Sequence, residues 1–459
     1  MSINEFIKLM RSYSLVRLHS TKGSFSIPPA IHAWLSLRLS IERREEKLWD
    51  AIQLIGQFVS SNDNDLGDAN IWTSEMQALV HIETCWLHIQ AHTEFFSSLG
   101  AKNNFDSRME ALGRMAGMFQ RQGKWRHAEE LYMKVIDTVK AVHGLEHPRA
   151  LTNMNNLAKT YWSQGQYQEA ERLQVLVMET RKRVLGTEHA HTLTSMNNLA
   201  STYWSQGRWA EAEKLEIYVM KTRKDVLGED DPCTLTTMHN LASTHWSQGK
   251  LSEAEDLEAN VMIKRKIILG EEHPHTLTSI HTLAGIYADL GRWKKAEELG
   301  VHVVKGFEKV LGKDHHSTLT SIQNLVSVYT HLSQWEKAEV LGVQLIEKFG
   351  RILGQQHPDT LTSGIAVAWI YHQQGRLKEA EDLAMHVIPQ MNQVLGPDHP
   401  YSVNSIANLA YIYKAQDRLH LAIHTMTKAT ALFSRKLGEK HPYKLRLVRI
   451  KLCWNGRDK

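Results

Sequence analysis

Apolar and polar positions recur along most of this chain with a period of 42 residues. In the unit that runs from Leu193 to Gly228, Met196, Leu199, Ala200 and Tyr203 fall at i, i+3, i+4 and i+7. That spacing is one face of a first helix. Gly207, in "SQGR", breaks it, because glycine adopts the left-handed conformation at little cost. "WAEAEKLEIYVMKTRKDVLG" then predicts a second helix, with Glu211 and Glu213 early and Lys221, Arg223 and Lys224 late. This order complements the helix dipole. Glycines close every unit at the same place: Gly144, Gly186, Gly228, Gly270, Gly312, Gly354, Gly396 and Gly438. A fold with one central core needs no such metre. A stack of like units does, because each buries its apolar face only against its neighbours.

The other columns of the repeat predict how each helical pair packs. Small residues mark the first helix at Ala116, Ala158, Ala200, Ala242, Ala284, Val326, Ala368 and Ala410. Second-helix alanines follow at Ala128, Ala170, Ala212, Ala254, Ala296, Ala338, Ala380 and Ala422. A bulky residue always follows the turn, as at Trp125, Tyr167, Trp209 and Leu251. Small residues let two helices approach while a large ring fills the gap beside them. These offsets resemble the tetratricopeptide (TPR) signature. The 42-residue period and the "LG-x-x-HP-x-TL" link resemble the kinesin-light-chain subtype, over residues 107–443. The expected fold is all-α, and the resemblance implies a right-handed TPR α-solenoid of about eight hairpins. "LRLVRIKL" at Leu445–Leu452 predicts a capping helix within the last stretch, 444–459.

Residues 1–40 read differently. "NEFIKLMRSY" and "AIHAWLSLRL" are helical, and "SLVRLHSTKGSFSIP" alternates around Thr21-Lys22-Gly23, a hairpin signal. With Leu9–Leu15, Phe25-Ser26 and Ile31–Trp34, this wording resembles the winged-helix end of fungal NLR-like STAND NTPases of the NB-ARC or NACHT type. The family usually carries His where this chain has Pro28. Residues 41–106 resemble the helical connector, or a degenerate repeat, before the TPR array. No GxxxxGK[ST] loop occurs, so the chain is expected not to hydrolyse ATP. The resemblance then implies that the motor has been lost or is encoded elsewhere.

Composition changes this picture little. The charge is +4, from 54 basic and 50 acidic residues, which gives no reason to expect nucleic acid or anionic membrane as a partner. Cys85, Cys233 and Cys453 are isolated, a usage that suits a reducing compartment. No apolar run approaches the roughly 18 residues of a membrane span. The start has no hydrophobic signal segment, so the expected location is cytoplasmic.

Candidate binding residues lie on the first helices, which line the inner groove in TPR proteins. One column reads Asn156, Asn198, Asn240, Thr282, Asn324, Ala366 and Asn408; its neighbour reads Asn155, Asn197, His239, His281 and Gln323. Asparagine disfavours helix interiors, so the column needs a reason. Either its amides satisfy the backbone of an extended peptide, or they bond from repeat to repeat. Trp162, Trp204 and Trp246 follow seven residues after Asn155, Asn197 and His239, on the same side. They are peptide anchors or packing against the next repeat. The Trp column ends at Ala288 and Thr330. TPR clamps for C-terminal carboxylates need basic groove residues, and only Lys159 is basic there.

Other constellations read as scaffold. His147, His189, His273, His315, His357, His399 and His441 recur at the links, usually before a proline, and Asp231 stands in their place once. This is helix-start chemistry rather than a metal ladder, since successive links lie roughly 10 Å apart. Arg181-Lys182, Arg223-Lys224 and Arg265-Lys266 form a basic stripe read chiefly as dipole compensation, with an acidic partner as the alternative. No catalytic arrangement stands out, and no cofactor, metal or small-molecule substrate is expected. The sequence therefore predicts a non-catalytic scaffold for a protein or peptide ligand, acting as the sensor arm of a fungal NLR-like system. A separate STAND ATPase or self-association would supply its further partners. The alternatives are a kinesin-light-chain-like cargo adaptor and a winged-helix nucleic-acid-binding regulator. Residues 41–58 are too short for the adaptor's coiled coil, and Arg11, Arg17, Lys22 and Arg38 give the second little charge.

Overall fold

The structure, a computed structural model, describes residues 17–18, 25–26, 48–49, 52, 82–90, 105–437, 447–450 and 453–454. The chain divides into two compact units, 1–66 with 70–206, and 67–69 with 207–459. Unit 1 holds helices α1 (Phe105–Arg121), α2 (Trp125–His143), α3 (Pro148–Ser163), α4 (Tyr167–Leu185) and α5 (Ala190–Ser205). Unit 2 holds α6 (Trp209–Leu227), α7 (Pro232–Ser247), α8 (Leu251–Leu269), α9 (Pro274–Asp289), α10 (Trp293–Val310) and α11 (His316–His331). It continues with α12 (Trp335–Ile352), α13 (Pro358–Gln373), α14 (Leu377–Leu395), α15 (Pro400–Ala415) and α16 (Leu419–Leu437). The fold class is all-α, as the periodicity predicts. Strands β1 (Arg17–Leu18) and β2 (Phe25–Ser26) pair antiparallel, Arg17 opposite Ser26 and Leu18 opposite Phe25. They flank the predicted hairpin turn. Most of the winged-helix and connector segments, together with Gly438 and His441, lies outside the described residues. Within the predicted capping helix, Leu447–Ile450 is helical.

Local chemistry explains each boundary. The link histidines are N-caps: Nδ1 of His147, His189, His273, His315, His357 and His399 accepts the backbone N–H two residues on. Asp231 does the same toward Cys233 and Thr234, at 2.8 and 3.4 Å. Each cap satisfies a donor that the first helical turn leaves open. At the other end, Gly270 takes φ 91° and ψ 164°, a region open to little but glycine.

Packing follows the small-residue columns. The second-helix alanines Ala128, Ala170, Ala212, Ala254, Ala296, Ala338, Ala380 and Ala422 are all fully buried. In unit 1 the apolar core extends to the 82–90 helix, where Trp86 meets Phe119 edge-on at 6.5 Å. In unit 2 the core is distributed, with separate clusters such as Leu277, Ile280, Val303 and Phe307, or Leu235, Met238 and Val261. That distribution is the expected consequence of units that pack only on their neighbours.

Candidate functional site

The Asn column is a bonded seam at two places, each joining a residue to one 43 positions away. Asn198 Nδ2 donates to Asn155 Oδ1 at 2.9 Å, between α5 and α3. In unit 2, Asn324 Nδ2 lies 3.0 Å from His281 Nε2, between α11 and α9. Asn155 is buried, whereas Asn156, Asn198 and Asn324 are half-buried. Asn197 and Asn240 are half-buried and engaged as well. His239 turns away from this register: its Nδ1 meets both carboxylate oxygens of the fully buried Glu258, at 2.9 and 3.0 Å. Inter-repeat bonding therefore accounts for Asn155 and for the partners of Asn198 and Asn324. Asn156 faces an open cavity of about 440 Å³ in unit 1, beside Arg114, Arg121 and Arg149. Two of those guanidinium groups are already bonded to Glu110.

The tryptophans share the same register and keep an open face. Trp162 Nε1 donates to Ser205 Oγ at 2.8 Å, and Trp246 Nε1 to Asp289 Oδ2 at 2.6 Å. Both partners lie on the next first helix. Trp162 and Trp204 nevertheless remain 40% exposed, while Trp246 is half-buried. Lys159, on the same helix as Trp162, is exposed. The desolvating walls around it, and then the Arg181 charge, hold its ammonium below the usual lysine range. What the first helices of unit 1 present is thus a fixed indole, a cation and amide edges.

The arginine half of the basic stripe corrects the sequence reading. Arg181, Arg223 and Arg265 are buried, at 4%, 5% and 3% exposure, and do not point at solvent. Arg181 Nη1 donates to the His191 carbonyl and to Ser195 Oγ; Arg223 and Arg265 repeat this with Cys233 and Thr237, and with His275 and Ser279. Only the lysines are left at the surface, and Lys224 and Lys266 pair with Glu229 and Glu271. The reason is reach: the planar fork spans from the second helix to the following first helix and bonds neutral oxygens there. The missed signal is a Ser or Thr 14 residues after each arginine.

A second buried polar column lies one helix turn and more before those arginines, at Gln174, Glu216 and Glu258. Gln174 Oε1 accepts from Thr202 Oγ1 at 2.7 Å. Glu216 stands in the same place beside Thr244, and burial lifts its carboxyl to about 7, Thr244 opposing and Glu213 adding to the shift. Its Oε2 has no hydrogen-bond partner among the described residues. A raised carboxyl pKa contributes stability below about pH 4.5 that is lost as pH rises through 7. Glu216→Gln is therefore expected to stabilise unit 2 by about 2 kcal/mol at pH 8 and by little at pH 5. Urea titrations at the two pH values check this; an equal effect at both would refute it.

Metal binding is disfavoured by tautomer. Among the described residues, Asp106, His143 and His147 bring three ligand-type atoms within 4.8 Å of one another. Yet His147 Nδ1 accepts the Arg149 N–H as a helix cap, which leaves the proton of the neutral ring on Nε2. Arg149 Nε also lies 3.3 Å from Asp106 Oδ1, so a cation already holds that carboxylate. No helix among the described residues is long and apolar enough to cross a membrane.

A tetratricopeptide repeat model matches residues 107–176, 164–216, 275–349, 318–393 and 370–435, and a second tetratricopeptide repeat model matches 234–275. Among solved structures, the apo quorum sensor NprR of B. thuringiensis is 12% identical, covering 78% of this chain and 97% of its own, with a TM-score of 0.54. A STAND protein with a tetratricopeptide repeat sensor from Pyrococcus horikoshii is 12% identical, covering 99% of this chain and 72% of its own, with a TM-score of 0.50. At such identities both speak for the fold alone. A Podosopora anserina protein named for kinesin light chain nearly identical TPR-like repeats is 31% identical, covering 44% of this chain and 95% of its own, with a TM-score of 0.39. A comparison with curated proteins returned no match.

Proposed function

Since the chain belongs to the tetratricopeptide repeat family, we propose that it is a non-catalytic interaction scaffold for an extended peptide or partner helix. The ligand lies along the first helices, as in the wider use of such repeats for recognition. The observation that carries this reading is the exposure of Trp162, an indole held in one orientation by Ser205 yet 40% open to solvent. A large ring ordered before binding loses little entropy on contact, which makes it an efficient anchor. Lys159 and Asn156 beside it supply a charge and an amide, and Trp204 a second ring. Asn155, Asn197 and Asn198 frame them within unit 1, and His239, Asn240, Trp246 and Asn324 carry the same columns in unit 2. The wording of residues 9–34 supports a role as the sensor arm of an NLR-like system, working beside a separate STAND ATPase.

Partner capture by the full chain, read by mass spectrometry, tests the site. Trp162→Ala and Trp204→Ala are each expected to weaken capture about tenfold, and Lys159→Ala less. Unchanged capture by variants that keep wild-type helicity would remove these residues from the binding surface.

A further inference from the structure

The Trp column lapses at Ala288, and a cavity lies beside the lapse. Unit 2 shows how the preceding ring is seated. Trp246 lies so close over Gly285 that a Cβ there would stand 2.4 Å from Cη2. Its Nε1 is fixed by Asp289, at 2.6 Å. One repeat later the tryptophan position carries only the Ala288 methyl. The adjacent space, about 140 Å³, is bounded by Trp246, Asp289, Ser321, Asn324 and Ser327, with Gly300 of α10 in its floor. Cavities of about 150 Å³ take up one benzene ring. The chain thus contains both a filled seat and, one repeat on, a seat without its ring.

The polar lining narrows the occupant. Asn324 and Ser321 are already engaged with His281, 3.0 and 3.3 Å from its Nε2 and Nδ1. Burial, and then the proximity of His239, pushes His281 down to about 4, so this ring is neutral at physiological pH. Asp289 is the one charged side chain in the lining, and among the described residues its Oδ1 accepts no hydrogen bond. Asp289 is exposed, so its free oxygen is hydrated, and a ring that carries an N–H replaces that water with a hydrogen bond where a purely apolar ring does not.

We propose that this cavity receives one aromatic side chain of the bound peptide or helix, an indole-type ring whose N–H is directed at Asp289. The inference rests on the scaffold reading above and adds the chemistry of one ligand position. The ligand ring fills the space that the Ala288 methyl leaves open, against Ser327 of α11, in an orientation of its own that brings the N–H to Asp289.

The probe is 5-fluoroindole, titrated into the full chain and followed by ¹⁹F NMR. The expected result is saturable binding to the wild type and at least tenfold weaker binding to Ala288→Trp, which supplies the ring in cis. Ser327→Phe closes the same space from α11 and covers the case in which Ala288→Trp fails to fold. Asp289→Asn is expected to weaken 5-fluoroindole several-fold and leave fluorobenzene unchanged. No saturable binding to the wild type, or equal binding to folded Ala288→Trp and Ser327→Phe, would overturn the proposal. If that happens while Trp162→Ala still weakens partner capture about tenfold, the pocket falls and the scaffold reading stands.

Discussion

Arg265→Ala is expected to destabilise unit 2 by about 3 kcal/mol. The guanidinium is 3% exposed and joins three helices: from α8 it reaches Thr236 Oγ1 on α7 at 3.5 Å, and the His275 carbonyl and Ser279 Oγ on α9 at 3.1 and 2.9 Å. Desolvation lowers its pKa, partly offset by Glu258, but it stays cationic across the accessible pH range. Truncation removes charge-assisted bonds, leaves acceptors in a dry seam and opens a cavity, three costs with the same sign. Arg265→Lys keeps the charge but has a single donor head where the seam needs a fork, so it should recover less than half of the loss. The urea midpoint of the full chain reports both variants. A loss below about 1 kcal/mol for the alanine variant would show that the seam closes without this tie.

Gly270→Ala is expected to cost about 2 kcal/mol, although nothing lies within 4 Å of where the new methyl would stand. The whole effect is backbone: φ 91° with ψ 164° excludes a Cβ. The turn glycines give the control. Gly249 sits at φ 78°, and in that column Ser333 and Asp417 occupy φ 57° and 60° without glycine. Gly249→Asn is therefore expected to cost under about 1 kcal/mol. Thermal melts of the two variants separate the classes of glycine, and equal losses would contradict the assignment.

These two cases show what could be read in the chain. Helix number, length and boundaries were legible because caps and stops are local: His or Asp before each first helix, Gly after each second one. The columns of small residues were legible because their burial follows from helical periodicity alone. The burial of Arg181, Arg223 and Arg265 is not legible in the sequence, because an arginine near a helix C-terminus serves the dipole equally well from outside or inside. Only the neighbouring helix, with Ser279 or Thr237 waiting opposite, sends it inward. For the same reason the sequence does not separate ligand contact from seam bonding in the Asn column. Asn198 shows a seam bond only when α3 is placed beside α5.

The 42-residue metre by itself determined an all-α chain of hairpins, the stop and start of each helix, and the faces that must be buried. Tertiary structure decided which polar groups are spent between repeats and which remain available. It buried Arg181, Arg223 and Arg265, left the Trp162 ring half open, and turned the lapse at Ala288 into a cavity. The physical reason is range. Capping, turn conformation and periodic burial act within one helix or its ends, whereas a side chain's last hydrogen-bond partner lies on another helix, some 10 to 43 residues away in these seams, and exists only once the helices are stacked.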